Sequence, residues 1–173
     1  MVHYRRSEVA GGTFFFTVNL RDRDRGLLVE HVDALRHIVQ TVRRELPFVI
    51  EAMVVLPDHW HAVWTMPPDD SGYAHRMRLI KARFTRHQLN QGVSLEKDAR
   101  GEYKLWQRRF WEHTIRDARD LQAHVDYVHI NPVKHGHARR AIDWPHSTIH
   151  RYVERGLLPR DWACGPQDGT FGE

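Results

Sequence analysis

The sequence predicts an α+β fold, in which helices pack on a mainly antiparallel sheet. Two observations lead to this prediction: β-rich runs alternate with amphipathic stretches, and two of the runs are separated only by Pro57 and Asp58. Proline and aspartate are turn residues, and a short turn between neighbouring strands favours an antiparallel pair. The resulting order of strand, helix, strand, strand, helix, strand, helix is that of an α+β sandwich.

The first half of the chain supplies three predicted strands and one helix. Residues 13–20, TFFFTVNL, are dense in aromatic and β-branched residues, which predicts a central strand. From 31 to 46, apolar residues recur at three- and four-residue spacing, which predicts an amphipathic helix that ends at Pro47. The runs 48–56 and 59–66 are the predicted antiparallel pair.

The second half supplies two helices and one strand. A helix is predicted from about 72 to 90, followed by a polar loop at 93–104. Residues 105–115, LWQRRFWEHTI, are a further predicted strand, and a last helix begins at 116. Because the residue before a proline disfavours the helical conformation, that helix is expected to end near Asn131, which precedes Pro132.

Length and composition indicate one domain, residues 1–150, with a C-terminal tail, residues 151–173, that is partly disordered in composition from Cys164 onward. The net charge of +4 fits modest attraction to polyanions and fits simple solubility equally well. A single cysteine excludes an internal disulfide and favours the cytoplasm. No apolar run is long enough to span a bilayer, so no membrane association is expected.

Two histidines lie on one face of a predicted strand. Side chains alternate along a strand, so His59 and His61 point the same way and Trp60 points the other way. Neutral imidazoles on one face can converge on a divalent ion. By itself the spacing is weak evidence, because a chain with 14 histidines contains such pairs by chance or for structural reasons.

A tyrosine and an amide share one face of the last predicted helix. Tyr127 and Asn131 are four residues apart, and His124 lies three residues before Tyr127. Helix statistics alone favour a packing role for Tyr127 and a helix-end role for Asn131.

Three segments together resemble a known family: PDHWH (57–61), WEHTIRD (111–117) and HVDYVHINPVKHG (124–136). They resemble the REP-associated tyrosine transposases, relatives of the single-strand insertion-sequence transposases in the HUH single-tyrosine endonuclease superfamily. The resemblance extends from about residue 4 to 144. It implies a ferredoxin-like sandwich with the two histidines on a central strand, and it makes residues 1–150 the transposase domain.

The resemblance also implies a site and a reaction. Tyr127 matches the nucleophile, which would form a 5′-phosphotyrosine and release a 3′-OH, so that strands can be rejoined by transesterification. His59, His61 and Asn131 would hold Mg²⁺ or Mn²⁺, with Asn131 standing where related enzymes often carry glutamine. Two nitrogen ligands make Mn²⁺ the easier fit.

The implied partner is single-stranded DNA folded into hairpins, the repetitive extragenic palindromes (REP). Cationic and aromatic residues of the 72–90 helix and of the following predicted strand are the candidate contacts, by phosphate pairing and base stacking. The predicted DNA contacts are Arg76, Arg78, Lys81, Arg83, Arg86, Arg108, Arg109 and Trp111. A solvated helix face and a core strand are the alternative interpretations. The resemblance favours a monomer, with a dimer as the alternative.

Two other functions fit part of the sequence. A structured-nucleic-acid-binding module that does not cleave would share every basic and aromatic feature. A zinc hydrolase built on the histidine pair would explain neither Tyr127 nor the arginine-rich helix. His113, His129 and His135 are further candidates for groups that orient the site.

Overall fold

The computed structural model describes residues 8–163, and within them four strands form one antiparallel sheet. The strands are β1 (Thr13–Asn19), β2 (Val49–Val55), β3 (His59–Thr65) and β4 (Trp111–Thr114), in the spatial order β2-β3-β1-β4. β1 is therefore central, as predicted. β2 and β3 pair across Pro57 and Asp58, also as predicted, and the Leu56 amide donates to the His59 carbonyl at 2.8 Å.

Helices cover both faces of the sheet. They are α1 (Leu27–Glu30), α2 (Val32–Glu45), α3 (Tyr73–Asn90), α4 (Ala118–Lys134) and α5 (Ile149–Glu154), with a 3₁₀ turn at Ala141–Asp143. Apolar residues of α2 and α3 share one core with the tryptophans of β3, whereas Val125 and Val128 of α4 share a second core with Phe15 and Val63. The predicted α+β sandwich is confirmed.

Alternation along β3 separates the two cores. Trp60, Ala62 and Trp64 belong to the core under α2 and α3, and Val63 belongs to the core under α4. His61 contacts the Tyr127 ring of α4, so it lies on the same face as Val63. The predicted alternation thus places the histidine pair beneath α4.

The last strand is shorter than predicted. Trp111–Thr114 pairs with β1, whereas the preceding residues leave the continuous ladder and pack on α3, keeping an isolated bridge between Trp106 and Leu20. The Trp106 indole donates to the Lys81 carbonyl at 3.1 Å, and Leu105 is buried in the same core. The prediction of a strand over 105–115 was therefore wrong for residues 105–110.

The last helix is longer than predicted, since α4 continues through Pro132 to Lys134. Proline removes one amide donor, which costs the bond to the Val128 carbonyl. The amides after it still close the helix: His135 donates to the Asn131 carbonyl at 3.0 Å and His137 to the Pro132 carbonyl at 2.8 Å. The prediction that the helix ends near Asn131 was therefore wrong.

The described part of the C-terminal tail packs on α4. Ile149 of α5 and Ala163 are buried with Ile130 and Ala141 in a small third core. α5 spans the predicted boundary at residue 150. The stretch from Cys164, for which disorder was predicted, lies outside the described residues. Between residues 8 and 163, no helix is long and apolar enough to cross a membrane.

Arg76 was predicted to contact DNA and is instead buried, with 3% of its surface exposed. Its Nε donates to the Leu46 carbonyl at 3.1 Å, and its Nη2 donates to the Pro47 carbonyl at 2.9 Å and pairs with Asp70 at 2.6 Å. The guanidinium is thus used to join α3 to the end of α2. The prediction of a DNA contact was wrong at this position, because helical spacing did not reveal these partners.

Replacing Arg76 with alanine is expected to lower the free energy of unfolding by about 2–4 kcal/mol, because it leaves two carbonyls and a carboxylate without their donor. Arg86 is an exposed arginine on the same helix, so Arg86→Ala is the matched control. Its free energy of unfolding is expected to change by about 0.5 kcal/mol or less. Urea unfolding followed by circular dichroism measures both. Equal stability of the two variants would contradict the structural role of Arg76.

Candidate active site

The two histidines of β3 are each held through one ring nitrogen. His61 Nδ1 lies 2.9 Å from the Thr17 hydroxyl of β1, and His59 Nδ1 lies 2.7 Å from Asp58 Oδ1. Such partners fix the orientation of each ring and leave its other nitrogen, Nε2, to bind another group. His61 Nε2 is buried and has no hydrogen-bond partner among residues 8–163.

Asp58 is an ionised anchor for His59. Burial opposes its ionisation, but hydrogen bonds from Arg23 and His59 outweigh burial and hold the pKa of Asp58 below its ordinary value. The carboxylate accepts a hydrogen bond from His59 Nδ1, which leaves Nε2 as the ring nitrogen that can bind another group.

Helix α4 brings the tyrosine to the histidine pair. The Tyr127 ring lies 5.2 Å from the His61 ring, and the His135 ring lies 5.1 Å from the His59 ring, as measured between centroids. Asn131 stands one turn after Tyr127 and one turn before His135, so it lies on the stripe that faces the pair. The structure therefore brings Tyr127 to the histidine pair, and helical spacing puts Asn131 on the same stripe of α4.

The side chain of Asn131 is completely buried, and neither its oxygen nor its nitrogen has a hydrogen-bond partner in the described part of the chain. Leaving a buried polar group unpaired costs about 1–3 kcal/mol. A bound group that used the amide oxygen would remove part of this cost.

These residues fit a divalent cation. Burial, followed by the charges of His59 and His135, lowers the pKa of His61 to about 3, so the ring is neutral near pH 7. Neutral imidazole is the form that binds metal. Two Nε2 atoms and an amide oxygen, with partners orienting both rings, are the donors that such an ion needs.

Two further residues surround the tyrosine. The Phe15 ring of β1 meets the Tyr127 ring edge-on at 5.7 Å, and the Lys134 amine lies 5.1 Å from the Tyr127 ring centroid. Sequence reasoning did not single out Lys134. Its position seven residues after Tyr127, on the same helical face, is the signal that could have found it.

The three other candidate histidines, His113, His129 and His135, differ in whether they lie at the histidine pair. His135 contacts His59, whereas His129 packs on Tyr152 and bonds to the Thr148 hydroxyl at 3.0 Å. Burial lowers the pKa of His129 to about 4, and this residue is part of the packing beneath α5. His113 bonds to Asp120 rather than to a residue of the histidine pair.

A groove of about 560 Å³ lies between α3 and the segment 102–110, and we call it the α3 groove. Four predicted DNA contacts line it, together with aromatic side chains: Arg78, Lys81, Arg86, Arg108, Tyr103, Trp106 and Phe110. Trp106 is 8% exposed, so little of its indole is accessible. The fold thus assembles a basic surface from two segments that are distant in sequence.

The remaining predicted DNA contacts do not line the α3 groove. Arg83 pairs with Glu45 of α2 at 2.6 Å. Arg109 is exposed, and Trp111 at the start of β4 is 59% exposed.

Residues 15–131 match the family described as Transposase IS200 like. The chain belongs to this family. The matched region begins at Phe15 and ends at Asn131, and so it contains the histidine pair and Tyr127.

Two curated relatives and one solved structure agree with this assignment. The chain is 48% identical over 173 residues to the REP-associated tyrosine transposase of Escherichia coli K12, covering 100% of this chain and 98% of that protein. It is 40% identical over 169 residues to a putative REP-associated tyrosine transposase of Haemophilus influenzae, with 96% of each covered. A solved REP-associated tyrosine transposase bound to a REP hairpin superposes with a TM-score of 0.84 at 48% identity, covering 100% of this chain and 98% of that one. The resemblance and the class of enzyme predicted from the sequence are confirmed.

Proposed function

We propose that the protein is a metal-dependent single-stranded DNA endonuclease and strand-transferase that binds REP hairpins and cleaves them through a 5′-phosphotyrosine. The observation that carries this proposal is the position of the Tyr127 ring, 5.2 Å from the ring of His61. A REP hairpin is bound in the solved structure of the 48% identical relative, which supports a hairpin as the substrate.

In the proposed reaction the Tyr127 hydroxyl gives up its proton to solvent or a base, and its oxygen attacks the scissile phosphorus. The bond from phosphorus to the 3′ oxygen breaks, the leaving oxygen takes a proton, and the 5′ phosphate stays attached to the tyrosine. One phosphodiester replaces another, so a 3′-OH can reverse the attack and join strands without another energy source.

His59, His61 and Asn131 would hold the divalent ion, Mg²⁺ or Mn²⁺. Bound there, the ion supplies positive charge that stabilises the phosphate in the transition state. Two imidazole ligands make Mn²⁺ at least as effective as Mg²⁺. Asp58 and Thr17 orient the two imidazoles, as second partners of metal-binding histidines commonly do.

The residues around Tyr127 orient the nucleophile. Phe15 meets the tyrosine ring edge-on, and so it restricts rotation of the phenol. Lys134 places a positive charge near the ring, where it favours the approach of a phosphate.

The α3 groove is the proposed surface for the hairpin. Arg78, Arg86 and Arg108 are exposed cations that suit phosphates, and Tyr103, which is 38% exposed, offers a ring for stacking. Trp111 is a second exposed ring, outside the groove.

Arg86→Ala and Arg108→Ala are each expected to weaken hairpin binding several-fold and to reduce the slope of log affinity against log salt by about 1. Fluorescence anisotropy with a labelled hairpin, over a series of salt concentrations, measures both quantities. Arg155→Ala, an exposed arginine just after α5, is the control and should bind as the unchanged protein does. Unchanged slopes in both groove variants would exclude the groove as the DNA surface.

The experiment that tests the function uses single-stranded oligonucleotides that cover palindromes around the protein's own gene, with Mn²⁺ or EDTA. Products are separated on a denaturing protein gel. A metal-dependent adduct should carry a label from the 3′ end of the oligonucleotide and not one from the 5′ end, because the tyrosine keeps the downstream fragment. Tight binding without an adduct in either ion would instead support a module that does not cleave.

We also propose that the protein acts as a monomer in the cytoplasm. One chain supplies Tyr127, both histidines and Asn131, so the site needs no residue from a second copy. Sedimentation at working concentration tests the monomer.

A further inference from the structure

A second group of metal-binding side chains lies where β4 meets the start of α4. His113, Asp120 and His124 each offer one ligand atom, and these atoms lie within 4.8 Å of one another. His113 Nε2 is 2.9 Å from Asp120 Oδ2, and His124 Nδ1 is 3.1 Å from Asp120 Oδ1. Each carboxylate oxygen therefore lies near a different imidazole, and His124 Nδ1 also lies 2.8 Å from the Asp120 main-chain carbonyl, a hydrogen bond that a bound ion would replace.

The carboxylate at the centre is sheltered and charged. The Asp120 side chain is 8% exposed. Burial opposes its ionisation, but hydrogen bonds from His113 and Arg116 outweigh burial and hold the pKa of Asp120 far below its ordinary range. A shielded anion flanked by two imidazoles is a strong local attraction for a cation.

The spacing of the three groups suits a small transition-metal ion. Zinc binds histidine nitrogen and carboxylate oxygen at about 2.0–2.2 Å in a tetrahedron, so neighbouring ligand atoms lie roughly 3.4 Å apart. The two measured separations, 2.9 and 3.1 Å, are close to that value. Two nitrogens with one anionic oxygen match zinc better than magnesium.

We propose that His113, Asp120 and His124 form a second divalent-metal site, of the class that binds zinc, separate from the histidine pair of β3. A solvent molecule would complete the coordination. The site would bind its ion whether or not the protein cleaves DNA.

Arg116 is the competing cation. Its Nε donates to Asp120 Oδ2 at 3.2 Å, but its side chain is 75% exposed and can move into solvent. Its backbone amide, 2.9 Å from the same oxygen, can stay in place and orient the carboxylate. The local structure thus keeps an anchor for Asp120 when the guanidinium leaves.

An ion here would hold α4 against the edge of the sheet. His113 belongs to β4, and the other two ligands lie on the first turns of α4. The Phe15 ring packs on both His124, at 4.9 Å, and Tyr127, at 5.7 Å. The role we assign to the ion is to position the helix that carries the nucleophile, without contact to DNA.

The test measures zinc bound to the full chain by equilibrium dialysis and elemental analysis, with Zn²⁺ as the only added ligand. We expect two equivalents in the unchanged protein, one in the His59→Ala/His61→Ala variant, and none when Asp120→Asn is added to that variant. His75→Gln, an exposed histidine of α3, is the control and should keep two. The proposal is overturned if the His59→Ala/His61→Ala variant binds no zinc, or if its remaining equivalent survives both Asp120→Asn and His113→Gln.

A second measurement does not depend on the folding of the Asp120 variant. Co²⁺ added to the His59→Ala/His61→Ala protein should develop the visible absorption of a cobalt site of low coordination number, and one equivalent of Zn²⁺ should abolish it. Zn²⁺ should also raise the Tm of that protein. Absence of both effects would overturn the second site and would leave the proposed cleavage at Tyr127 untouched.

Discussion

Tyr127→Phe is expected to abolish DNA cleavage and the covalent adduct, a loss on the order of 10⁴-fold or more, while hairpin affinity stays within about twofold. The substitution removes the attacking oxygen only. The ring remains to pack against Phe15 and His61, so the fold and the DNA surface are preserved. Denaturing gels report the adduct, and anisotropy with the same oligonucleotide reports binding.

Tyr152→Phe is the matched control for the nucleophile. Tyr152 is also a tyrosine close to a histidine, but its hydroxyl donates to the Glu51 carbonyl at 3.0 Å and its ring packs on His129. This variant should cleave and form the adduct as the unchanged protein does. An adduct that persisted in Tyr127→Phe, or was lost only in Tyr152→Phe, would assign the nucleophile to another residue.

His61→Ala is expected to reduce metal-dependent cleavage on the order of 10²–10³-fold, because it removes a proposed ligand of the ion whose charge would stabilise the phosphate. The Mn²⁺ concentration that gives half-maximal cleavage should rise as well, since the remaining ligands bind the ion more weakly. Titration of Mn²⁺ in single-turnover cleavage assays measures both effects.

His129→Gln separates metal binding from packing. His129 is completely buried, as His61 nearly is, but it lies beneath α5 and bonds to Thr148. This variant should lose stability and keep the Mn²⁺ requirement of the unchanged protein. If His61→Ala lowered activity with no change in the Mn²⁺ requirement, His61 would have a packing role only.

The parts of the fold and site that depend on local spacing could be predicted from the sequence. Alternation along a strand placed His59 and His61 on one face, and a four-residue interval on a helix placed Tyr127 with Asn131. The structure adds that these two faces meet, because α4 crosses the sheet above β3. Only the family resemblance indicated that meeting in advance.

The parts that depend on distant partners could not be predicted. Arg76 and Arg78 lie on the same helix, and the buried arginine differs from the exposed one by its bonds to the carbonyls of Leu46 and Pro47 and by its pair with Asp70. The same applies to the last strand, whose first half packs on α3, where the Trp106 indole donates to the Lys81 carbonyl. The carbonyls of Leu46, Pro47 and Lys81 are 25 to 30 residues away from their donors, so a window of neighbouring residues does not reveal them.

Helix α4 has a mechanical consequence for strand exchange. Tyr127 and Asn131 are one turn apart on a continuous helix, so no hinge lies between them within that turn. In the proposed reaction, a DNA end attached to Tyr127 is therefore held at a fixed distance from Asn131. Carrying that end elsewhere would require α4 to lift off the sheet and expose Val125 and Val128, which are buried beneath it. With α4 in place, the proposed reaction requires the incoming 3′-OH to move to Tyr127, which does not move.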